Sequence, residues 1–142
     1  MQRYVESINR HYGGTDISAR ILAALQEAGK DVNALTRDDL AAIDEFHSGG
    51  REATRRLAQL AGLSNGMHVL DVGSGVGGPA RTLAAEFGCK VTGQDLTEEF
   101  CRAATMLTER LGLGDRVTFR YGNALNMPFD TGTFDVCGHR TR

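Results

Sequence analysis

Val69-Leu-Asp-Val-Gly-Ser-Gly-Val-Gly-Gly78 decides the fold of this chain of 142 residues. Its apolar beginning predicts a buried strand, its glycines predict a tight turn, and Pro79-Ala-Arg-Thr-Leu-Ala-Ala-Glu-Phe87 behind them predicts a helix with proline in its first turn. A strand, a glycine loop and a helix N-terminus in succession present backbone N–H groups and let a ligand come close to the main chain. Gly73, Gly75 and Gly77 are the residue type that takes positive φ without steric cost. Gly73, Gly75 and Gly78 also satisfy G-x-G-x-x-G, so a dinucleotide is allowed. Asp71 argues against one. A carboxylate at the end of that strand repels a pyrophosphate and suits a ligand that carries cationic groups.

The elements on either side follow the same logic. Upstream, apolar residues at 17, 21, 22, 25 and 28 predict a helix closed by Gly29. Thr36-Arg-Asp-Asp39 reads as a capping box, with Asp in place of Glu, opening a helix to about Phe46. His47-Ser-Gly-Gly50 breaks that helix. A third runs from Arg51 to Ala61, with Leu57, Leu60 and Ala61 on its apolar face, the Arg51–Arg56 cluster on a solvated one, and Gly62 at its end. Downstream, the sequence predicts strands over 67–72, 89–95, 116–121 and 133–137, and helices over 79–87 and 98–111. Thr97 is placed to cap the last helix, ahead of Glu98 and Glu99.

Alternating strands and helices imply a parallel sheet with right-handed crossovers. The expected fold is α/β, with N-terminal helices followed by an incomplete Rossmann-like parallel sheet of order 3-2-1-4. The chain reads as one domain over 1–142, its helical region 1–62 preceding a core over 63–142. A ligand belongs at the carboxyl ends of the strands, near the switch point between strands 1 and 4. Asp71, Asp95 and Asn123 all fall at or just beyond strand ends there. Asp95 lies 22 positions after Gly73, where an acid accepts hydrogen bonds from ribose hydroxyls.

Asp71-Val-Gly-Ser-Gly-Val-Gly77, Asp95 and Gly122-Asn-Ala-Leu-Asn-Met-Pro-Phe129 with Phe134-Asp135 resemble the class I S-adenosylmethionine-dependent methyltransferases. Asp44-Glu-Phe-His-Ser-Gly-Gly50 and Gly77-Gly-Pro-Ala-Arg81 look most like the small-molecule branch of sarcosine/dimethylglycine type. The resemblance spans roughly residues 40 to 136. It implies S-adenosylmethionine as cofactor, with Asp71 ordering the loop and the methionine amino group, and Gly73, Ser74, Gly75 and Gly77 forming the cradle. It further implies Asp95 and Leu96 at the ribose and adenine, and Asn123, Ala124 and Leu125 around the adenine. Asn123 departs from the family, which more often has Asp there, so a charge is lost. His11 and Tyr12 resemble a mobile N-terminal lid, and His47 falls in the break beside the site. His68 reads as structural. No catalytic residue is named, because acceptor-binding residues in this family mostly lie beyond the last residue here.

Composition sets the outer limits. With 41% hydrophobic residues, 24% charged and a net charge of −2, the chain can bury a core and nothing steers it to nucleic acid or an anionic membrane. Cys89, Cys101 and Cys137 lack metal-ligand spacing, and no metal site is expected. A cytoplasmic setting is expected. The family resembles a seven-stranded sheet, whereas about four strands are legible here before Gly138-His-Arg-Thr-Arg142. The expectation is a truncated or frameshifted methyltransferase whose uncovered strand 4 invites a homo-oligomer. Three functions stand: a methyltransferase, or its cofactor-binding portion, acting on a small acceptor such as sarcosine or dimethylglycine (quinones and sterols remaining open); a non-catalytic fragment that binds cofactor weakly or self-associates; and a nicotinamide-dependent oxidoreductase.

Overall fold

The glycine loop and the alternation of strands with helices build a four-stranded parallel sheet of order β3-β2-β1-β4, formed by His68–Val72 (β1), Lys90–Asp95 (β2), Val117–Tyr121 (β3) and Val136–His139 (β4). The computed structural model of the chain describes residues 16–44, 50–123 and 132–139. The described helices are Ile17–Glu27 (α1), Ala41–Asp44 (α2), Gly50–Leu60 (α3), Gly78–Phe87 (α4) and Glu98–Arg110 (α5). β1 pairs in parallel with both β2 and β4, so the expected order holds, with the glycine loop at the centre. No described helix is long and apolar enough to cross a membrane.

Strand alternation sorts the core. Val69, Val91 and Val117 project to one face and pack with Ala80, Leu83 and Ala84 of α4 and with Ala58 of α3. Alanines at these contacts let helix and sheet approach closely. A second cluster joins Ile21 and Leu25 of α1, Leu35, Leu40, Ile43 of α2, and Ala103 and Leu107 of α5. On the other face His68 and Thr92 bond side chain to side chain at 3.0 Å, and the His68 ring meets Phe134 edge-on at 4.4 Å. His68 is structural, as expected.

Local differences have physical causes. The Thr36–Asp39 capping box forms in both directions: Thr36 N donates to Asp39 Oδ2 at 2.9 Å and Asp39 N to Thr36 Oγ1 at 3.2 Å. It opens a set of turns, however, and the described helix behind it is only Ala41–Asp44. On α3 the buried residues are Thr54 and Ala58, while Leu57 and Leu60 are 55% and 79% exposed, contrary to the apolar face expected for it. Arg51 and Arg55 are engaged rather than merely solvated. Arg55 bonds Glu86 of α4 at 2.6 and 3.0 Å, and Arg51 reaches Asp38 and the Arg37 carbonyl. These ion pairs and the small Ala58 set the roll of the helix. Thr97 occupies the N-cap position of α5, yet its hydroxyl makes no capping bond; the Asp95 carboxylate instead takes the Thr97 N–H. β4 begins at Val136, later than expected, because Asp135 is spent docking onto the start of β1, exchanging bonds of 2.8 Å with the main chain of His68.

Candidate functional site

The glycine loop hangs from β2. Because Val72 stands opposite Gln94 in the ladder, the chain leaves β1 directly over the Gln94 carbonyl, which accepts from both Gly73 N (2.7 Å) and Ser74 N (3.1 Å). Next, Asp95 Oδ2 accepts from Gly75 N at 2.9 Å while its Oδ1 accepts from Thr97 N at 3.0 Å. A buried carboxylate thus fixes the loop and the entry to α5 together. Gly77 N closes the turn on Ser74 O at 3.0 Å.

Two glycines are needed for different reasons. Gly75 has φ +56° and open space where a Cβ would point, so the backbone conformation and an unobstructed face are what it supplies. Gly77 has φ +89° and, in addition, no room: a Cβ would lie 2.5 Å from Phe119 Cζ and 2.8 Å from Arg81 Nη1. Its left-handed backbone starts α4, with Pro79 in the first turn.

The expected site residues fall as follows. Asp71, Ser74, Gly77 and Asp95 are buried, Gly73 and Gly75 are half-buried, and Leu96 is 68% exposed directly after β2. Asn123 is exposed just beyond β3, and its carbonyl accepts from Gln94 Nε2 at 3.3 Å. Ala124 and Leu125, like His11, Tyr12 and His47, lie outside the described residues. The loop and Asp95 are therefore joined directly, and Asn123 is tied to them through Gln94.

Sequence reasoning missed Gln94. It is 1% exposed, its main chain holds the loop, its amide holds Asn123, and its Oε1 is buried with no hydrogen-bond partner among the described residues. Ser74 Oγ is likewise buried and unpartnered. A buried polar atom left unpaired costs about 1–3 kcal/mol. The available signal was a Gln-Asp pair closing an otherwise buried strand.

Asp44 and Arg81 were also missed as a pair, although both stood in motifs singled out for the resemblance. Arg81 is 0% exposed on α4, and its guanidinium binds Asp44 Oδ1, the Val76 carbonyl (2.8 Å) and Thr108 Oγ1 (3.0 Å). Burial pushes the Asp44 carboxyl up, with Arg81 pulling it back, and burial lowers the Arg81 guanidinium against the pull of Asp44. A separate groove of about 430 Å³ lies between α5 and β3, lined by Cys101, Met106, Phe119 and Tyr121 among others. None of the expected site residues lines it.

Residues 69–139 match the family model described as a methyltransferase domain. The sterol 24-C-methyltransferase of Yarrowia lipolytica is 32% identical over 152 aligned positions, covering 93% of this chain and 40% of that protein. Among solved structures, an S-adenosylmethionine-dependent methyltransferase from Geobacter sulfurreducens, in complex with S-adenosyl-L-homocysteine, is 29% identical with a TM-score of 0.57, over 74% of this chain and 43% of that one. A Galdieria sulphuraria protein described as a sarcosine dimethylglycine methyltransferase has a TM-score of 0.61 over 72% of this chain and 47% of its own; at 22% identity it supports the fold alone. The chain spans 21% to 40% of the length of the first curated relatives it matches. With the glycine loop, the strand-end acids and all but the first residue of the 3-2-1-4 strands inside the matched segment, the chain belongs to the class I S-adenosylmethionine-dependent methyltransferases.

Proposed function

We propose that this chain binds S-adenosylmethionine across the carboxyl ends of β1, β2 and β3, as the cofactor-binding part of a methyltransferase for a small-molecule acceptor. The observation that carries this reading is the single buried carboxylate, Asp95, that fastens the open glycine loop at Gly75. Each carboxylate oxygen can accept more than one hydrogen bond, so ribose hydroxyls can donate to the same group. Gly75 leaves its face of the loop open, and the orphaned Ser74 Oγ and Gln94 Oε1 add polar atoms in want of partners. These features fit a polar, partly cationic nucleoside ligand.

In this reading Asp71 faces the amino-acid end of the cofactor, Gly73, Ser74, Gly75 and Gly77 cradle it, Asp95 and Leu96 hold the ribose and cover the adenine, and Asn123, Ala124 and Leu125 complete the adenine pocket. When bound, the cofactor supplies a methyl group already activated on a sulfonium. The chain's task is then to orient that group and exclude water rather than to activate it. The buried Asp71 favours a cationic ligand over a dinucleotide pyrophosphate, which counts against the nicotinamide alternative, whereas Asp95 suits the ribose of either.

The acceptor is a finer matter. The curated relative named above is a sterol 24-C-methyltransferase, which supports an apolar small molecule over the amine suggested by the sarcosine-type motifs. One cofactor-binding unit over 1–142, a reducing cytoplasmic setting suited to three free cysteines, and self-association along the β4 edge complete the proposal. Calorimetric titration with S-adenosylmethionine, S-adenosylhomocysteine and a nicotinamide dinucleotide tests its centre. Micromolar affinity for the first two is expected; binding of the dinucleotide alone would overturn it. Labelled methyl transfer to sterol, quinone and amine acceptors then sorts the substrate class, and sedimentation analysis tests association, a monomer counting against it.

A further inference from the structure

We propose that Arg81 is a positioning residue that sets the shape of the glycine loop, with Asp44 on α2 as its anchor. This rests on the cofactor reading above and deepens it. The two ends of the Arg81 guanidinium serve different masters. Nη1 holds the carbonyl of Val76, between the two loop glycines that bound it, and also Thr108 Oγ1 on α5. Nη2 holds Asp44 on α2. A planar fork with fixed donor directions can hold a main-chain carbonyl and a carboxylate at once; a lysine, with one compact head, cannot keep both geometries.

The packing enforces the arrangement. Asp44 presses on α4 where only Gly78 leaves space: a Cβ there would lie 2.5 Å from both Asp44 Cβ and Asp44 O. A Cβ on Gly77 would strike Arg81 Nη1 itself. The guanidinium thus fills the room under the loop that the glycines leave open, and α2, α4, α5 and the loop meet on one buried cation. A carbonyl held from below fixes the peptide planes on either side, including the open face of Gly75.

A purely structural ion pair makes a different prediction, and this separates the two. Replacing a buried pair by apolar side chains of similar volume is often neutral or stabilising. The double variant Asp44→Leu/Arg81→Met in the full chain is therefore expected to unfold near the wild-type midpoint. Its 73–78 amides are nevertheless expected to exchange with deuterium about tenfold faster while those of β2 and β3 are unchanged, and its affinity for S-adenosylhomocysteine to fall about tenfold, the scale of losing one hydrogen bond to a charged group. Arg81→Lys keeps the charge and is expected to loosen the same segment, so it decides the matter should the double variant fail to fold. Wild-type exchange over 73–78 in whichever variant folds would overturn the proposal. Wild-type protein that ignores S-adenosylhomocysteine while the loop still loosens in the variants would instead overturn the cofactor reading and leave the positioning role standing.

Discussion

Gly78→Ala sets two effects of opposite sign against each other. Gly78 opens α4 and is not among the glycines with positive φ, so alanine is compatible with its backbone and helix propensity favours the change by up to about 1 kcal/mol. Against this, the new Cβ would stand 2.5 Å from Asp44 Cβ and O and 2.7 Å from Asp44 Cα. Comfortable carbon contacts lie at about 3.5–4.0 Å, so the overlap is about 1 Å and falls on main chain as well as side chain. Asp44 cannot withdraw without stretching its bond to Arg81. Overpacking of this kind costs about 1–3 kcal/mol, so the collision wins, with a net loss of about 1–2 kcal/mol. That corresponds to a fall in Tm of about 3–7 °C for a chain of this size. Urea unfolding followed by circular dichroism measures it, with the midpoint falling and the slope unchanged. A variant as stable as wild type would show that α2 moves aside freely, and would refute the tight seat of Asp44 on α4.

Other outcomes follow from the same geometry. Asp95→Asn replaces a charged acceptor shared by Gly75 N–H and Thr97 N–H, so calorimetry is expected to show S-adenosylhomocysteine binding weakened by about tenfold or more. Gly93→Ala would drive a Cβ to 2.5 Å from Phe119 Cδ1 and 2.8 Å from Ser74 Cβ, and thermal denaturation should register about 1–3 kcal/mol lost. The Glu86 carboxyl is pulled from 4.5 down to about 2 by its hydrogen bond to Arg55, with Arg37 adding to it. Its contribution is therefore complete above about pH 5 and fades as pH falls through 2; after discounting for solvent it is about 1 kcal/mol, and Glu86→Gln should flatten the acid limb of the stability profile by that amount. Cys137 is exposed, whereas burial holds the Cys89 and Cys101 thiols up, so a thiol reagent at neutral pH should label Cys137 alone until the chain is unfolded.

What was legible in the sequence is what local rules control. Apolar strand runs, helix stops at Gly29 and Gly62, Pro79 at a helix start and the Thr36–Asp39 box all operate within a few residues, and the parallel order follows from the alternation of strands and helices. The acid Asp95 was legible as a candidate site residue, but not as the group that clamps Gly75, because that bond depends on how far the loop folds back over β2. Leu57 and Leu60 misled, since apolar spacing cannot foresee that Arg51 and Arg55 have partners that turn α3 the other way. Gln94 and the Asp44–Arg81 pair were hidden for a related reason. Their roles arise from contacts between segments 20 to 37 positions apart, which no window on the sequence spans.

The clasp on α4 has a consequence for how the molecule comes apart. The segment ahead of β1 grips α4 at its first turn through Asp44 and at its last through Arg37 and Arg55 on Glu86. Removing residues up to 62 would therefore not release a tidy α/β unit. It would leave Arg81 without its carboxylate, holding only the Val76 carbonyl and Thr108 Oγ1, and strip the acid at the far end of the same helix of its partners. The N-terminal helices and the sheet are therefore expected to melt in one transition, because the segment ahead of β1 holds both ends of the helix that follows the glycine loop.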